Sequence, residues 1–239
     1  MTKRVISVFL CVLCVISSIS FIVSAKENKE YTSDNFLSVA DGIIAWKKAD
    51  NGSEPDGYLI NDKYLENAGT TPGDWYPIAL GRLGIQDNNE GYLAVIKDRV
   101  EERYRESGRL SAAKATEWHR IALAVLAMGG DPTNFGTDEN GAPINLIADG
   151  TYDRGKTTPL GRQGINGWIW GLITLDSMRY AVHDGAYNTR DDIIVEIISK
   201  QLSDGGFALS SDDADPDITA MAITALAPYY NCLLYTSPS

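Results

Sequence analysis

The sequence predicts an all-α protein built of two helical layers, on three observations. Amphipathic segments alternate with segments apolar on nearly every face, Gly and Pro breaks separate them, and the apolar segments can be laid in register. Leu80 and Leu83, Leu123 and Leu126, Leu172 and Leu175, and Ile223 and Leu226 superpose at offsets of 43, 49 and 51 residues. An apolar helix must be walled off by others, so a helix-hairpin repeat of this kind suits a solenoid or a closed α/α toroid.

The chain supports each element in turn. Lys3 and Arg4 precede an apolar run over 5–23, and Val23-Ser24-Ala25 offers a small residue at a cleavage site, so residues 1–25 read as a signal peptide. An uncleaved anchor is the alternative, since about 20 apolar residues span a bilayer, but Ser17, Ser18, Ser20 and Ser24 dilute the stretch. Residues 26–35 are a polar, flexible lead-in to a repeat domain over 36–230. Phe36, Val39, Ala40, Ile43 and Ile44 recur at helical spacing, with Ser33, Asp34 or Asn35 available as a cap.

After the break at 50–57, a helix is expected over 72–83, with Trp75, Ile78, Ala79 and Leu83 apolar, Pro77 in its first turn and Gly84 as its stop. The segment 90–105 sets Leu93, Ile96 and Val100 against Lys97, Glu101, Glu102 and Arg105, the pattern of a surface helix. Residues 116–128 are apolar nearly all round and must be buried. Ile144, Leu146 and Ile147 open a short outer helix. An apolar segment at 166–180 is followed by an amphipathic one at 189–202, carrying Ile193, Ile194, Ile197 and Ile198, and by a last apolar one at 215–230. Residues 231–239 break the pattern and read as an aberrant tail similar to translated adapter sequence.

Loss of Lys3 and Arg4 takes the net charge from −11 to −13, which disfavours nucleic acid and anionic membranes as partners. Of three cysteines, Cys11 and Cys14 lie in the signal and Cys232 in the tail, so no disulfide framework is expected. With His119 and His183 the sole histidines, a Cys/His zinc site is not expected either. Asp213, Asp215 and Asp217 have the opening spacing of a calcium loop, but Ile218 stands at its glycine position and Thr224 at its bidentate glutamate position, which excludes an EF-hand. No cofactor or metal is expected.

The same register aligns the helix starts. Asp74, Glu117, Asn166 and Asp217 fall together, then Trp75, Trp118, Gly167 and Ile218, then Tyr76, His119, Trp168 and Thr219. Helices sharing one direction would collect these residues at one end as an acidic rim above an aromatic shelf. The candidate ligand-binding residues are therefore Asp74, Trp75, Tyr76, Glu117, Trp118, His119, Trp168 and Asp217. Carboxylates at helix starts also serve as caps, and buried Trp and His also serve as core.

The string QLSDGGFALSSDDADPDITAMAITAL, 201–226, resembles the prenyltransferase and squalene-cyclase repeat, the unit of the α/α toroid. The other hairpins resemble degenerate copies over 36–230. The toroid of that family commonly has six hairpins, so the resemblance implies an incomplete ring here, with envelope association expected through a region further downstream. Class II terpene cyclases protonate a polyene with the middle aspartate of Asp-x-Asp-Asp-Thr-Ala. The matching residues are Asp215-Pro216-Asp217-Ile218-Thr219-Ala220, which makes Asp217 the implied general acid and Asp215 its helper, with Ile218 in place of the partner aspartate. The zinc cysteine of the prenyltransferases has no counterpart. With an export signal, the resemblance implies a secreted or surface binding module for a small or amphipathic ligand. A cyclase-like enzyme and a structural spacer are the alternatives.

Overall fold

The computed structural model describes residues 33–154 and 159–230. The expected signal peptide, the lead-in up to residue 32 and the tail at 231–239 lie outside the described residues. The chain divides into two compact units, 1–46 and 47–239. The described part of the first is the opening of helix α1, Ser33–Asn51. Residues 33–35, expected in the lead-in, form its first turn. Everything below concerns the second unit.

Among the described residues the regular structure is helical, apart from one isolated bridge between Thr137 and Pro143. The helices are α2 Asp62–Leu65, α3 Thr71–Leu83, α4 Asn89–Ser107, α5 Ala115–Ala127, α6 Ile165–Asp176, α7 Arg190–Ile198 and α8 Pro216–Leu226. No helix among the described residues is long and apolar enough to cross a membrane.

Helices α3, α5, α6 and α8 pack in series, each on the next, while α4 lies against α2 and α5, and α7 against α6. The serial helices are the apolar ones of the sequence. Ile121, Ala124, Val125, Ile169, Leu172 and Leu175 are buried in the core, and truncating one such Leu or Ile typically costs about 2–5 kcal/mol. Between α3 and α5 the approach is backbone to backbone: a Cβ added at Gly81 would stand 2.0 Å from the Ala127 carbonyl oxygen. Only glycine permits that separation.

Several elements differ from the expectation. On α4 the buried stripe is Tyr92, Ile96, Val100 and Tyr104, one residue per turn, so Tyr92 takes the place expected of Leu93. The 189–202 segment is helical only to Ile198, started by a reciprocal capping box between Thr189 and Asp192. The last helix ends at Leu226 and tightens into a 3₁₀ turn at Ala227–Tyr229 around Pro228. The short helix expected to open at 144–147 starts at Leu146 and continues as a π-type turn at Ala148–Tyr152. Pro77 sits inside α3 rather than in its first turn. Its missing N–H leaves the Gly73 carbonyl without its helical donor, and the Tyr64 hydroxyl donates to that oxygen at 3.0 Å.

The Gly-Gly-Phe and Asp-x-Asp-x-Thr stretches form one local unit. Asp215 caps α8 by accepting from the backbone N–H groups of Asp217 and Ile218 at 2.8 and 3.0 Å. The Thr219 hydroxyl accepts from Phe207 N–H at 2.9 Å and donates to the Phe207 carbonyl at 3.1 Å. A Cβ at Gly206 would meet the Ala214 Cβ at 2.4 Å, so the loop can close on the helix only through glycine.

Candidate functional site

Three of the serial helices present one helix turn each to a common cleft. Thr71 and Trp75 come from α3, Thr116 and Arg120 from α5, and Asn166 and Trp170 from α6. Each pair is spaced i, i+4, the interval that stacks side chains on one helix face. Lys114, Glu117 and Gln163 complete the wall of a cleft of about 190 Å³. The cleft opens at the starts of the three helices, and none of their N-cap residues makes a side-chain capping bond.

The aromatic wall is a pair of indoles. Trp75 and Trp170 lie 5.5 Å apart between ring centroids at an interplanar angle of 55°, within the range of favourable aromatic contacts. Trp75 is 43% exposed and Trp170 half-buried.

The charged floor is organised by Arg120, all five of whose N–H donors are used. Nε donates to Asp74 Oδ2 at 2.8 Å, Nη1 to Thr71 Oγ1 and Glu117 Oε1 at 3.1 and 2.9 Å, and Nη2 to Gly69 O and Glu117 Oε2 at 3.0 Å each. Glu117 thus grips the guanidinium with both oxygens, the strong fork geometry, and Arg103 approaches it at 3.5 Å. Burial pushes the Glu117 carboxyl up, but the Arg120 hydrogen bonds and the charges of Arg120 and Arg103 outweigh it, leaving the pKa below the ordinary glutamate value. Asp74 is wholly buried and also accepts from Tyr92 Oη and Gly69 N–H at 2.7 Å each. Two carboxylates therefore face two guanidinium groups, and the floor is close to neutral.

The polar rim has unused capacity. Thr116 Oγ1 donates to Gln163 Oε1 at 3.2 Å, leaving the Gln163 amide N–H groups as donors. Thr71 Oγ1 accepts from Arg120, leaving its own O–H to donate. Asn166 Oδ1 is a buried acceptor that receives no hydrogen bond.

No family model, curated protein or solved structure matches the chain.

The residues expected at the rim and shelf are dispersed. Trp75 and Glu117 line the cleft, together with Asn166 from the same alignment. Asp74 lies beneath it in the interior. Trp118 is a core residue, 1% exposed; its Nε1–H donates to Tyr104 Oη at 2.7 Å, Tyr104 donates to Asp149 Oδ2, and the Arg154 guanidinium lies 4.4 Å from the Trp118 ring centroid. His119 is equally buried, bonded through Nε2 to the Gly150 carbonyl at 2.9 Å. A carbonyl only accepts, so Nε2 carries the hydrogen. Tyr76 stands edge-on to Tyr64 at 6.4 Å, with the Lys47 ammonium 5.7 Å from its centroid. Trp168 covers Gly161, where a Cβ would lie 2.3 Å from the indole nitrogen. Tyr76 and Trp168 do not line the cleft.

Asp217 is exposed on the first turn of α8, outside the cleft, and Asp215 is occupied as the cap of that helix. Among the described residues, no three His, Cys, Asp or Glu side chains gather closely enough to hold a metal ion.

Trp170, Gln163, Thr71, Thr116, Arg120 and Lys114 were not among the expected site residues. One signal for Trp170 was available, since it stands four residues after Asn166 and so on the same helix face.

Proposed function

We propose that the chain is a non-catalytic binding module of the α/α-toroid kind, exported to the cell surface or the medium, which holds a small ligand against Trp75 and Trp170. The observation that carries this reading is the partly exposed indole pair beside a cleft whose carboxylates and guanidinium groups already neutralise one another. Such a site offers apolar contact and a few directed polar groups, the usual composition of a ligand pocket. It offers no unpaired acid positioned for proton transfer. The serial packing of α3, α5, α6 and α8, with the amphipathic α4 and α7 alongside, favours the toroid. Lys3, Arg4 and the apolar run after them favour export.

Native mass spectrometry of the chain incubated with fractionated small-molecule extracts tests the reading. A discrete adduct that quenches indole fluorescence and is lost in the Trp75→Ala/Trp170→Ala double variant is the expected result. Absence of any adduct across the fractions, or an adduct indifferent to the double variant, sinks it.

A further inference from the structure

We infer that the ligand of the Trp75–Trp170 cleft is a neutral saccharide, seated with the C–H face of one sugar ring on the indoles. This rests on the binding-module reading and names its ligand class. A pyranose has an apolar face of axial C–H groups and an equatorial rim of hydroxyls, each of which both donates and accepts. The cleft has the complementary division. The tilted indoles supply a broad apolar wall that keeps its shape, because a Trp side chain has only two rotatable bonds. The rim supplies the Thr71 hydroxyl and Gln163 amide donors, with the Asn166 side chain alongside them.

Charge separates this ligand from its competitors. A cationic ligand would need a free carboxylate beside the indoles, but Glu117 gives both oxygens to Arg120 and its remaining neighbour is Arg103. An anionic ligand would find all five Arg120 donors committed and only the Lys114 ammonium of the cleft wall left to pair with. A neutral ring with many hydroxyls asks for neither. A cleft of about 190 Å³ that is open to solvent matches one ring in contact with the rest of a chain projecting outward.

The test is calorimetric and fluorescence titration of the full chain with neutral oligosaccharides of glucose, galactose, mannose and N-acetylglucosamine, and with an oligouronate as the anionic control. At least one neutral oligosaccharide is expected to bind with a change in indole emission, with the same affinity at low and high salt, because no ion pair forms. Trp75→Ala and Trp170→Ala should each weaken binding by at least about tenfold, and Asn166→Ala by a smaller factor. Asp217→Asn, outside the cleft, should leave it unchanged. Failure of every neutral oligosaccharide, binding indifferent to both Trp variants, or salt-sensitive binding of the oligouronate alone overturns the inference. Should a non-saccharide from the extracts quench Trp75 and Trp170 instead, the binding module stands and the sugar assignment falls. Should nothing perturb the indoles, both fall.

Discussion

Arg120 Nε meets Asp74 Oδ2 at 2.8 Å in a position where Asp74 has no exposure to solvent at all. The pair ties α5 to the first turn of α3, and the remaining guanidinium donors extend the tie to Gly69, Thr71 and Glu117. Replacing Arg120 by Met strands a buried carboxylate, a change that typically costs about 3–5 kcal/mol. The urea midpoint of Arg120→Met should therefore fall far below that of Tyr92→Phe, which removes one hydrogen bond to the same carboxylate for about 1–3 kcal/mol. Equal midpoints for the two variants would show that the ion pair does not hold the helices together.

His119 makes stability depend on pH. Burial pushes its pKa down to about 3, opposed by the hydrogen bond to Gly150 and aided by the charge of Arg154, from an ordinary value of 6.5. Below 6.5 the unfolded chain takes up a proton that the folded chain refuses until about pH 3. The contribution of a neutral His119 is therefore complete above 6.5 and is lost as the pH falls toward 3, at no more than about 1.4 kcal/mol per pH unit. His119→Gln keeps a donor for Gly150 without the titration. Urea denaturation between pH 7 and pH 4 should show the wild type losing stability faster than this variant, and parallel curves would remove His119 from the account.

The two aspartates of the motif on α8 should behave differently. Asp215→Ala loses an N-cap and should cost about 0.5–2 kcal/mol, whereas Asp217→Asn changes an exposed side chain and should stay within about 0.5 kcal/mol. Thr219→Val removes both bonds to the Phe207 backbone and should cost at least as much as Asp215→Ala. Thermal melts of the three variants rank them directly, and a large loss for Asp217→Asn would point to a role that its exposed position does not explain.

Tyr64 and Pro77 should be coupled through the Gly73 carbonyl. Tyr64→Phe leaves that oxygen without a donor and should cost about 1–3 kcal/mol. In a Pro77→Ala background the new N–H can reach the same oxygen, so Tyr64→Phe should cost less there. A double-mutant cycle measures the difference; strict additivity would mean that Tyr64 does not replace the lost helical donor.

The helices were legible because their cause is local. The apolar runs at 72–83, 116–128 and 166–180, and breaks such as Gly84 after the first of them, were enough to place α3, α5 and α6 to within a few residues. The site was less legible because its cause is rotational. The register that aligns Trp75 with Trp118 fixes height along the helices, while the cleft pairs Trp75 with Arg120, two positions later. Two positions are about 200° of helix rotation, which turns Trp118 away from the cleft to meet Tyr104 and Arg154. Nothing in the sequence near Trp118 states that angle; it is set by which side chains of α4 and the 148–152 turn receive the indole. Asp74 was missed as a buried ion for a similar reason, since its cation is supplied from another helix, 46 residues away.

The close approach of Gly81 to the Ala127 carbonyl bears on how a ligand of the proposed kind would be received. Because α3 and α5 approach through their backbones, no side chain lies between them at that point. Trp75 and Arg120 are thus carried on two helices in direct backbone contact. A ligand of the proposed kind would meet two helices already in direct contact, so less of its interaction energy would go into ordering the protein.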